Sequence, residues 1–535
     1  MQLLNLNNKT PLNKRDLYDL LSSRFDGQEK KLSQIPNPAL LFNGEKAAKR
    51  IAQAILTKQK IVLVGDYDVD GVSSTAITVD FFRQIPYPLE AIIPNRFKDG
   101  YGVSPKILER VEADLVITAD NGITAVEAAN ICKERGIDLI ITDHHTPSEN
   151  LPDAYAIVDP KLSECGYPFK EICGAQVIWL VLALVKKELS LPIDMAQFLD
   201  ILAIAIIADV MPLIDINRTL VKEGLRYMLC SERPASIIIR DFLNKSHINS
   251  EDIGFMIAPR LNSAGRLEDA SIALEFYTAT DLNTAYNQFE LLGKLNELRK
   301  ETEAQTTQTA LTQVDPEAKV IVVAGKDWHE GVVGIVASRL VDRYSKPAIV
   351  LSINGEDAKG SARSVGNVDI YKLIKENEHL LTKFGGHKMA AGLGLKTANI
   401  ELFRDAINQS AQKLKAEDFI PQEQLSGILE TDEIDHELLE LFDRFEPYGE
   451  ANPRPSFLLK EAEVVSIKLL GADKSHSKIE VRQYPHQRKT LELIAFRRVY
   501  EMPQNRKITC SYSVAKNEFN NRITPQLLVK KIYDE

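Results

Sequence analysis

Acidic residues recur at the ends of four short apolar runs in the first half of this 535-residue chain. The runs read IVLVGDYDVDG (61–71), LVITADNG (115–122), LIITDHH (139–145) and IAIIADVMPL (204–213). An apolar run of this length, bounded by turn residues, has the pattern of a strand buried in a parallel sheet. Ligands of open α/β sheets bind beyond the carboxyl ends of such strands. The spacing therefore predicts that Asp66, Asp68, Asp70, Asp120, Asp143, His144, His145 and Asp209 converge on one crevice. With no Lys or Arg in the same motifs these carboxylates would repel one another. Divalent metal is the simplest species that neutralises them.

In GDYDVDG the three aspartates alternate, so an extended backbone would throw all of them to one side. Gly65 and Gly71 permit tight turns around them, and a helix is expected from Val72 onward. Hard oxygen donors of this kind suit Mg²⁺ or Mn²⁺. The segment superficially has the form of an EF-hand loop, but loop position twelve is Ile77 instead of Glu, and a buried strand precedes it. His144 and His145 are consecutive on a strand end, so they point in different directions; one could ligate metal while the other faces a phosphate. Mixed carboxylate and imidazole donors lean toward Mn²⁺. Any one of these motifs alone is more often a turn or a helix cap. Together, on successive strand ends, they describe two ions bridged by one carboxylate, able to activate water and clamp a phosphate for in-line attack. That chemistry is hydrolysis of a phosphorus ester or anhydride.

A phosphate also needs cations and backbone donors. NRFKDGYGVS (95–104) offers Arg96, Lys98 and Tyr101, and APRLNSAGRL (258–267) offers Arg260, Asn262 and Arg266 around Gly265. GSARS (360–364) offers Ser361 and Arg363. FGGHKMAAG (384–392) places Gly385, Gly386 and His387 just ahead of an expected helix, which would make an anion nest of turn amides. Taken singly, an Arg is more often in a surface salt bridge.

The elements that would position these groups follow from periodicity. After a polar lead-in (1–44), a helix over 45–56 feeds strands at 61–64, 89–93, 115–118, 139–142 and 156–158, alternating with helical patterns. That is a parallel sheet with helices on both faces. Residues 172–245 read mostly helical, and a charged stretch at 282–314, without Gly or Pro after Gly293, reads as a long helix bridging two domains. A second α/β segment begins at Lys319. The last hundred residues read as short alternating strands separated by turns, the pattern of a small barrel. The boundaries expected are a lead-in at 1–44, a first domain with helical extension at 45–281, a connecting helix at 282–315, a second domain at 316–418 and a β domain at 419–535. At this length several domains are required.

Net charge is −10, yet residues 456–535 hold 15 Lys+Arg against 9 Asp+Glu. An acidic body with a basic tail suggests a polyanion-binding module, although such asymmetry also arises by ordinary sampling. The N-terminus lacks the apolar core of a signal peptide, and no run reaches the roughly 18 residues that span a bilayer. Five cysteines form no C-x-x-C pair, which points to a reducing cytoplasm and away from a zinc site or disulfide frame.

GDYDVDG, ADNG, TDHH and ADVMPL together resemble the four acidic motifs of the DHH phosphoesterase superfamily, named for Asp143-His144-His145. FGGHKMAAG is similar to the signature of the DHH-associated domain. APRLNSAGRL, GSARS and PYGEANPRP (447–455) ahead of the β-rich tail resemble the superfamily's single-strand-specific exonucleases, over residues 45–535 and in the same order. The resemblance implies a DHH domain, a DHH-associated domain joined to it by a long helix, and an OB-like barrel. It implies 5′-to-3′ hydrolysis of single-stranded DNA to mononucleotides with two Mn²⁺ or Mg²⁺ ions, in recombination and repair. It further implies that Asp68, Asp70, Asp120, His144 and Asp209 are ligands, with Asp120 the bridge. Asp66 is an additional ligand or outer-sphere group, since Val64 stands where the superfamily often has His. Asp143 would orient an imidazole and His145 would meet the scissile phosphate. Arg96, Ser361 and Arg363 would hold the 5′ phosphate, and Tyr101 and Arg266 the first nucleotides. A single-strand-binding protein and a helicase are the partners expected, and a monomer is the default. The rival readings are a DHH phosphodiesterase for short oligonucleotides or cyclic dinucleotides, which usually lacks a basic β tail, and an inactive DHH-type DNA-binding scaffold.

Overall fold

The computed structural model describes residues 10–25, 30–421, 424–471, 474–482, 490–496, 498–519 and 522–533. Three sheets organise it. The first is built from β1 (Ile61–Val64), β2 (Glu90–Ile92), β3 (Leu115–Thr118), β4 (Asp138–Thr142) and β5 (Ala156–Val158), in the order β2-β1-β3-β4-β5. Every pairing is parallel. All residues of β1 and β3 are buried, which is why they read as unbroken apolar runs. In this order the chain turns back between β1 and β3, and that switch point is where a crevice opens at the carboxyl edge. Asp66 follows β1 and Asp120 follows β3, one on each side of it.

The fourth acidic motif departs from expectation. Leu199–Ala208 is a buried helix, not a strand, and Asp209 is its C-cap. Its sequence, LDILAIAIIA, is apolar except for Asp200, so it carries no period to separate strand from helix, and its length suits a helix. GDYDVDG is likewise extended only as far as Asp68. Asp68 caps the helix Val69–Gln84, its carboxylate accepting from the Gly71 amide at 3.0 Å, and Asp70 lies inside the first turn instead of on an extended segment.

The helix Leu282–Leu311 runs 30 residues, about 45 Å at 1.5 Å per residue. Its buried Glu303 accepts from Arg299 at 2.6 Å and from Arg339 of the next domain at 2.8 Å. The second sheet comprises β6 (Ile321–Lys326), β7 (Ala348–Asn354), β8 (Asp357–Arg363), β9 (Leu381–His387) and β10 (Ala390–Lys396), ordered β6-β7-β8-β10-β9. Only β6 and β7 pair in parallel. FGGHKMAAG therefore forms the β9–β10 hairpin and not a turn leading into a helix. Gly385 faces Gly392 and Gly386 faces Ala391, and a Cβ on Gly386 would lie 2.5 Å from the Ala391 Cα. The glycines serve close strand approach there.

The third sheet is a closed barrel of β11 (Ser456–Leu470), β12 (His476–Arg482), β13 (Leu491–Ala495), β14 (Lys507–Phe519) and β15 (Arg522–Tyr533), ordered β11-β12-β13-β15-β14. The lead-in is not a free tail. Helix Lys14–Ser22 buries Leu17 and Leu21 in the barrel domain's core beside Phe442 and Phe457, and Leu12 bridges to Leu429. A few residues on, Lys30 pairs with Asp215 of the first domain at 2.6 Å. Residues 1–9 and 26–29 of the expected lead-in lie outside the described residues.

Candidate active site

At the switch point three overlapping sets of side chains bring their ligand atoms within 4.8 Å of one another: Asp66, Asp68 and Asp120; Asp70, His144 and Asp209; Asp120, His144 and His145. Asp120 belongs to two of them. It follows β3 in the left-handed region at φ 66°, held there by its own amide donating to the Thr142 carbonyl at 3.0 Å. A strained non-glycine backbone of this kind persists only where the surroundings fix it. His144 Nε2 lies 3.2 Å from Asp120 Oδ1, 3.5 Å from Asp209 Oδ2 and 3.7 Å from Asp70 Oδ2. Asp70 is held by helix Gly174–Glu188, whose Gly174 and Ala175 amides donate to its two oxygens at 2.6 and 2.9 Å.

Asp143 is different in kind. Its Oδ1 lies 2.7 Å from His145 Nδ1 and accepts the His144 amide, and its Oδ2 accepts the Ile123 amide at 2.9 Å. Both oxygens are thus committed to holding the loop and the His145 ring. His145 is about half exposed and presents its ring edge-on to Tyr101, centroids 6.2 Å apart.

Several buried polar atoms in this cluster make no hydrogen bond: Asp66 Oδ1, Asp120 Oδ1, both ring nitrogens of His144, and Asp209 Oδ2. Orphaned buried acceptors cost about 1–3 kcal/mol each unless something satisfies them. Burial and then the neighbouring carboxylates hold Asp66 and Asp120 well above the ordinary carboxyl range, and push Asp209 up to about 9. Burial lowers His144, keeping it in the neutral form a metal needs. Burial would lower His145 too, but the Asp143 carboxylate outweighs it and raises the imidazole to about 9. Hard oxygen donors with an imidazole, orphaned and crowded, fit two ions such as Mn²⁺ or Mg²⁺.

Beside the cluster, a cavity of about 820 Å³ separates the two α/β domains. Arg96, Tyr101, His145, Arg266, Ser361, Arg363, Gly385 and Gly386 all line it. Arg363 Nη1 donates to Ser361 Oγ at 2.7 Å. Gly334, in the first turn of helix Val333–Tyr344, sits against this pair, a Cβ there falling 3.0 Å from Arg363 Nη2. A helix N-terminus and a guanidinium converging in a cavity favour an anion. Arg266 donates to the Gly331 carbonyl at 3.2 Å, and burial with nearby Arg96, Arg299 and Arg363 lowers its guanidinium to about 10.

Three residues expected on the phosphate side lie elsewhere. Arg260 is two positions from Asn262 on helix Ala258–Leu267, hence on another face, and its guanidinium stacks over Phe242 and Phe289 at 4.1 and 5.0 Å. Asn262 lines a neighbouring cavity, sharing only Arg266 with the first. His387 is exposed at the end of β9, away from the lining. Sequence reasoning missed Gly331, Gly334, Lys359 and Lys383, which also line the cavity. The glycines in HEGVVG (329–334), between a strand and a helix, were the available signal.

Comparison with known proteins agrees with this geometry. Residues 60–206 match the DHH family N-terminal domain, 317–413 the DHHA1 domain and 425–531 the RecJ OB domain. The chain is 37% identical over 504 residues to the single-stranded-DNA-specific exonuclease RecJ of Bacillus subtilis, covering 91% of this chain and 63% of that one. It thus spans less than two thirds of that relative's length. It is 35% identical over 541 residues to the protein of the same name from Haemophilus influenzae, covering 94% of this chain and 93% of that one. The crystal structure of RecJ in complex with Mn²⁺ from Thermus thermophilus superposes with a TM-score of 0.79 at 29% identity, over 92% of this chain and 72% of that one.

Proposed function

Because this chain belongs to the RecJ family of single-stranded-DNA-specific exonucleases, we propose that it hydrolyses single-stranded DNA from the 5′ end, releasing mononucleotides. The observation that carries the reading is one cavity joining His145 of the carboxylate cluster to the Ser361–Arg363 pair. A terminal phosphate held by Arg363, Ser361, Arg96 and the helix N-terminus at Gly334 leaves the first phosphodiester beside the cluster, and that sets polarity and a one-nucleotide step. Asp66, Asp68, Asp70, Asp120, His144 and Asp209 would hold two divalent ions, Asp120 between them. When bound, the ions supply Lewis acidity and activate water for in-line displacement. Asp143 keeps the His145 ring fixed, so that its edge faces a nonbridging oxygen of the scissile phosphate. Arg266 adds positive charge where the phosphate gains negative charge.

The closed, basic barrel is the module expected to track a single strand, with OB folds covering roughly 4–16 nucleotides. It favours this reading over a phosphodiesterase for short oligonucleotides or cyclic dinucleotides. Intact acidic positions favour it over an inactive scaffold. The setting we infer is DNA recombination and repair in the cytoplasm, by a monomer working with a single-strand-binding protein and a helicase. The free cysteines fit a reducing compartment, and no helix among the described residues is long and apolar enough to cross a membrane. Digestion of end-labelled single- and double-stranded DNA with Mn²⁺ or chelator tests the proposal. Mononucleotides released only from a 5′ single-stranded end, and only with metal, are expected. Equal digestion of blunt duplex overturns it.

A further inference from the structure

Asp70 and Asp209 face His144 Nε2 from two separate helices, Val69–Gln84 and Leu199–Ala208. An ion held by these three groups needs the gap between the two aspartates kept constant. A buried pair of side-chain amides, Gln176 and Asn217, spans from the support of one aspartate to the support of the other.

On the Asp70 side the support is the start of helix Gly174–Glu188, whose first two amides carry the carboxylate. Gln176 folds back over that turn, its Oε1 accepting the Cys173 amide at 3.0 Å. Its Nε2 donates to Asn217 Oδ1 at 2.8 Å. Asn217 stands in the first turn of helix Asp215–Cys230. Its Nδ2 donates to the Glu171 carbonyl at 2.7 Å, just ahead of the Gly174 helix. The same nitrogen donates to the Pro212 carbonyl at 3.0 Å, three residues after Asp209. Carbonyls only accept, so both Nδ2 hydrogens are committed and Oδ1 has to face Gln176. The chain of amides therefore has a single orientation.

The Asp209 side needs such a hold. Val210 follows in the left-handed region at φ 54°. A β-branched residue is rare there and stays only where its surroundings dictate it. Asn217 fixes the Pro212 carbonyl, and the Leu213 amide donates to the Glu450 carbonyl of the barrel domain at 2.7 Å. Both amide side chains are neutral. They brace the loop without adding charge to crowded carboxylates and without competing with a cation.

We propose that Gln176 and Asn217 are positioning residues for the ion that Asp70, His144 and Asp209 would hold. They set the gap between the two aspartates, and through it the affinity of that site. This rests on the two-ion reading of the cluster. Asp209 belongs to only one of the three donor sets, so one ion depends on the pair more than the other.

The test is titration calorimetry of the metal-free full chain with Mn²⁺, without DNA. Wild type, Gln176→Met, Asn217→Asp and Thr219→Val are compared. Gln176→Met keeps the side chain's length and breaks the chain of amides. Asn217→Asp keeps the shape but turns an oxygen toward the Pro212 carbonyl. Thr219 is the control, buried on the same helix with its hydroxyl donating to the Lys30 carbonyl at 2.9 Å, off the path to either aspartate. Wild type should take up two ions. Gln176→Met and Asn217→Asp should each weaken one of them about tenfold or more, the effect expected of groups that orient metal ligands, and leave the other within about twofold. Thr219→Val should leave both within about twofold. In nuclease assays the kcat lost by the two amide variants at limiting Mn²⁺ should return as Mn²⁺ is raised, with KM for DNA unchanged. Gln176→Met decides alone if Asn217→Asp does not fold. Wild-type affinities in Gln176→Met, an equal loss in Thr219→Val, or a kcat that added Mn²⁺ fails to restore overturns the positioning role and leaves the exonuclease reading standing. Wild type that takes up fewer than two ions overturns the two-ion reading itself.

Discussion

Gly174 closes against the Asp120 carboxylate so tightly that a Cβ on it would lie 2.4 Å from Oδ1. The same glycine donates its amide to Asp70 at 2.6 Å. One backbone position thus sets two acidic residues of the cluster, and no side chain fits there. Gly174→Ala should push Asp120 from its place without emptying the core. The expected result is a folded protein with at least about 100-fold lower kcat, the size of loss that a misplacement of about 1 Å produces. Circular dichroism with nuclease kinetics decides it; near-wild-type turnover would mean the contact is slack.

Asp120 itself belongs to two of the three metal-competent sets. Asp120→Ala should abolish hydrolysis while single-strand binding stays within a few-fold of wild type, because the substitution removes the proposed bridge and leaves the cavities intact. Titration calorimetry with Mn²⁺ should report weaker uptake in the variant, since His144 Nε2 would lose its 3.2 Å neighbour. Retained turnover would sink the two-metal assignment.

The crowded carboxyls make metal binding and pH inseparable. Asp209 moves from 3.8 to about 9, with burial the first cause and Asp70 and Asp68 the next. Asp66 and Asp120 move in the same direction. A carboxyl raised on folding holds a proton that the unfolded chain has released, so stability falls as pH rises between the two values. His145, raised from 6.5 to about 9, contributes its stability in full below about pH 6.5 and loses it as pH rises to about 9. The metal-free protein should therefore weaken from about pH 4 to pH 9. Mn²⁺ at about 100 times its pH 8 Kd should raise Tm by roughly 5–10 °C near pH 8, and at that same concentration by less near pH 6. A metal-induced shift that shrinks as pH rises would contradict this account.

The legible parts of this chain are those where local pattern decides structure. β3 and β4 are apolar runs closed by acidic ends, and helix Leu282–Leu311 is a charged stretch without breakers after Gly293. Asp209 was legible as a cluster member but not as a helix cap, because the eight apolar residues in a row at 201–208 have no period. The fate of Arg260 depends on helical register against Phe242 and Phe289, a tertiary fact. FGGHKMAAG misleads because glycine pairs mark turns and close strand pairs alike. The docking of Leu17 and Leu21 some four hundred residues away leaves no local trace at all.

Arg363 should set end preference, not chemistry. It is tied to Ser361 at 2.7 Å beside the helix N-terminus at Gly334. Hydrogen bonds to charged groups contribute about 1.5–3 kcal/mol. Arg363→Ala should therefore cut the kcat/KM advantage of a 5′-phosphorylated strand over a 5′-hydroxyl strand by roughly 10- to 100-fold, with the hydroxyl substrate little affected. Competition between the two labelled strands in one tube measures the ratio directly. An unaltered ratio would move the terminal phosphate to another part of the cavity.

The N-terminal helix makes the last case, because it is joined to the barrel domain by packing instead of by chain. Leu17 and Leu21 are fully buried against that domain's core. Lys14 lies 2.9 Å from Glu437 and close to Asp435, and Arg24 donates to Asn452 at 2.9 Å. The exposed ion pairs contribute little, about 0–1 kcal/mol each, so the leucines carry the attachment. Leu21→Ala should cost about 2–5 kcal/mol locally, whereas Lys14→Ala should be nearly silent. The measurement is hydrogen exchange across Ser456–Leu470 and Lys507–Phe519, with the first sheet as internal control. Faster exchange confined to the barrel is the expected signature of Leu21→Ala. Uniform acceleration in both domains would instead mean that the helix stabilises the whole assembly through the Lys30–Asp215 pair.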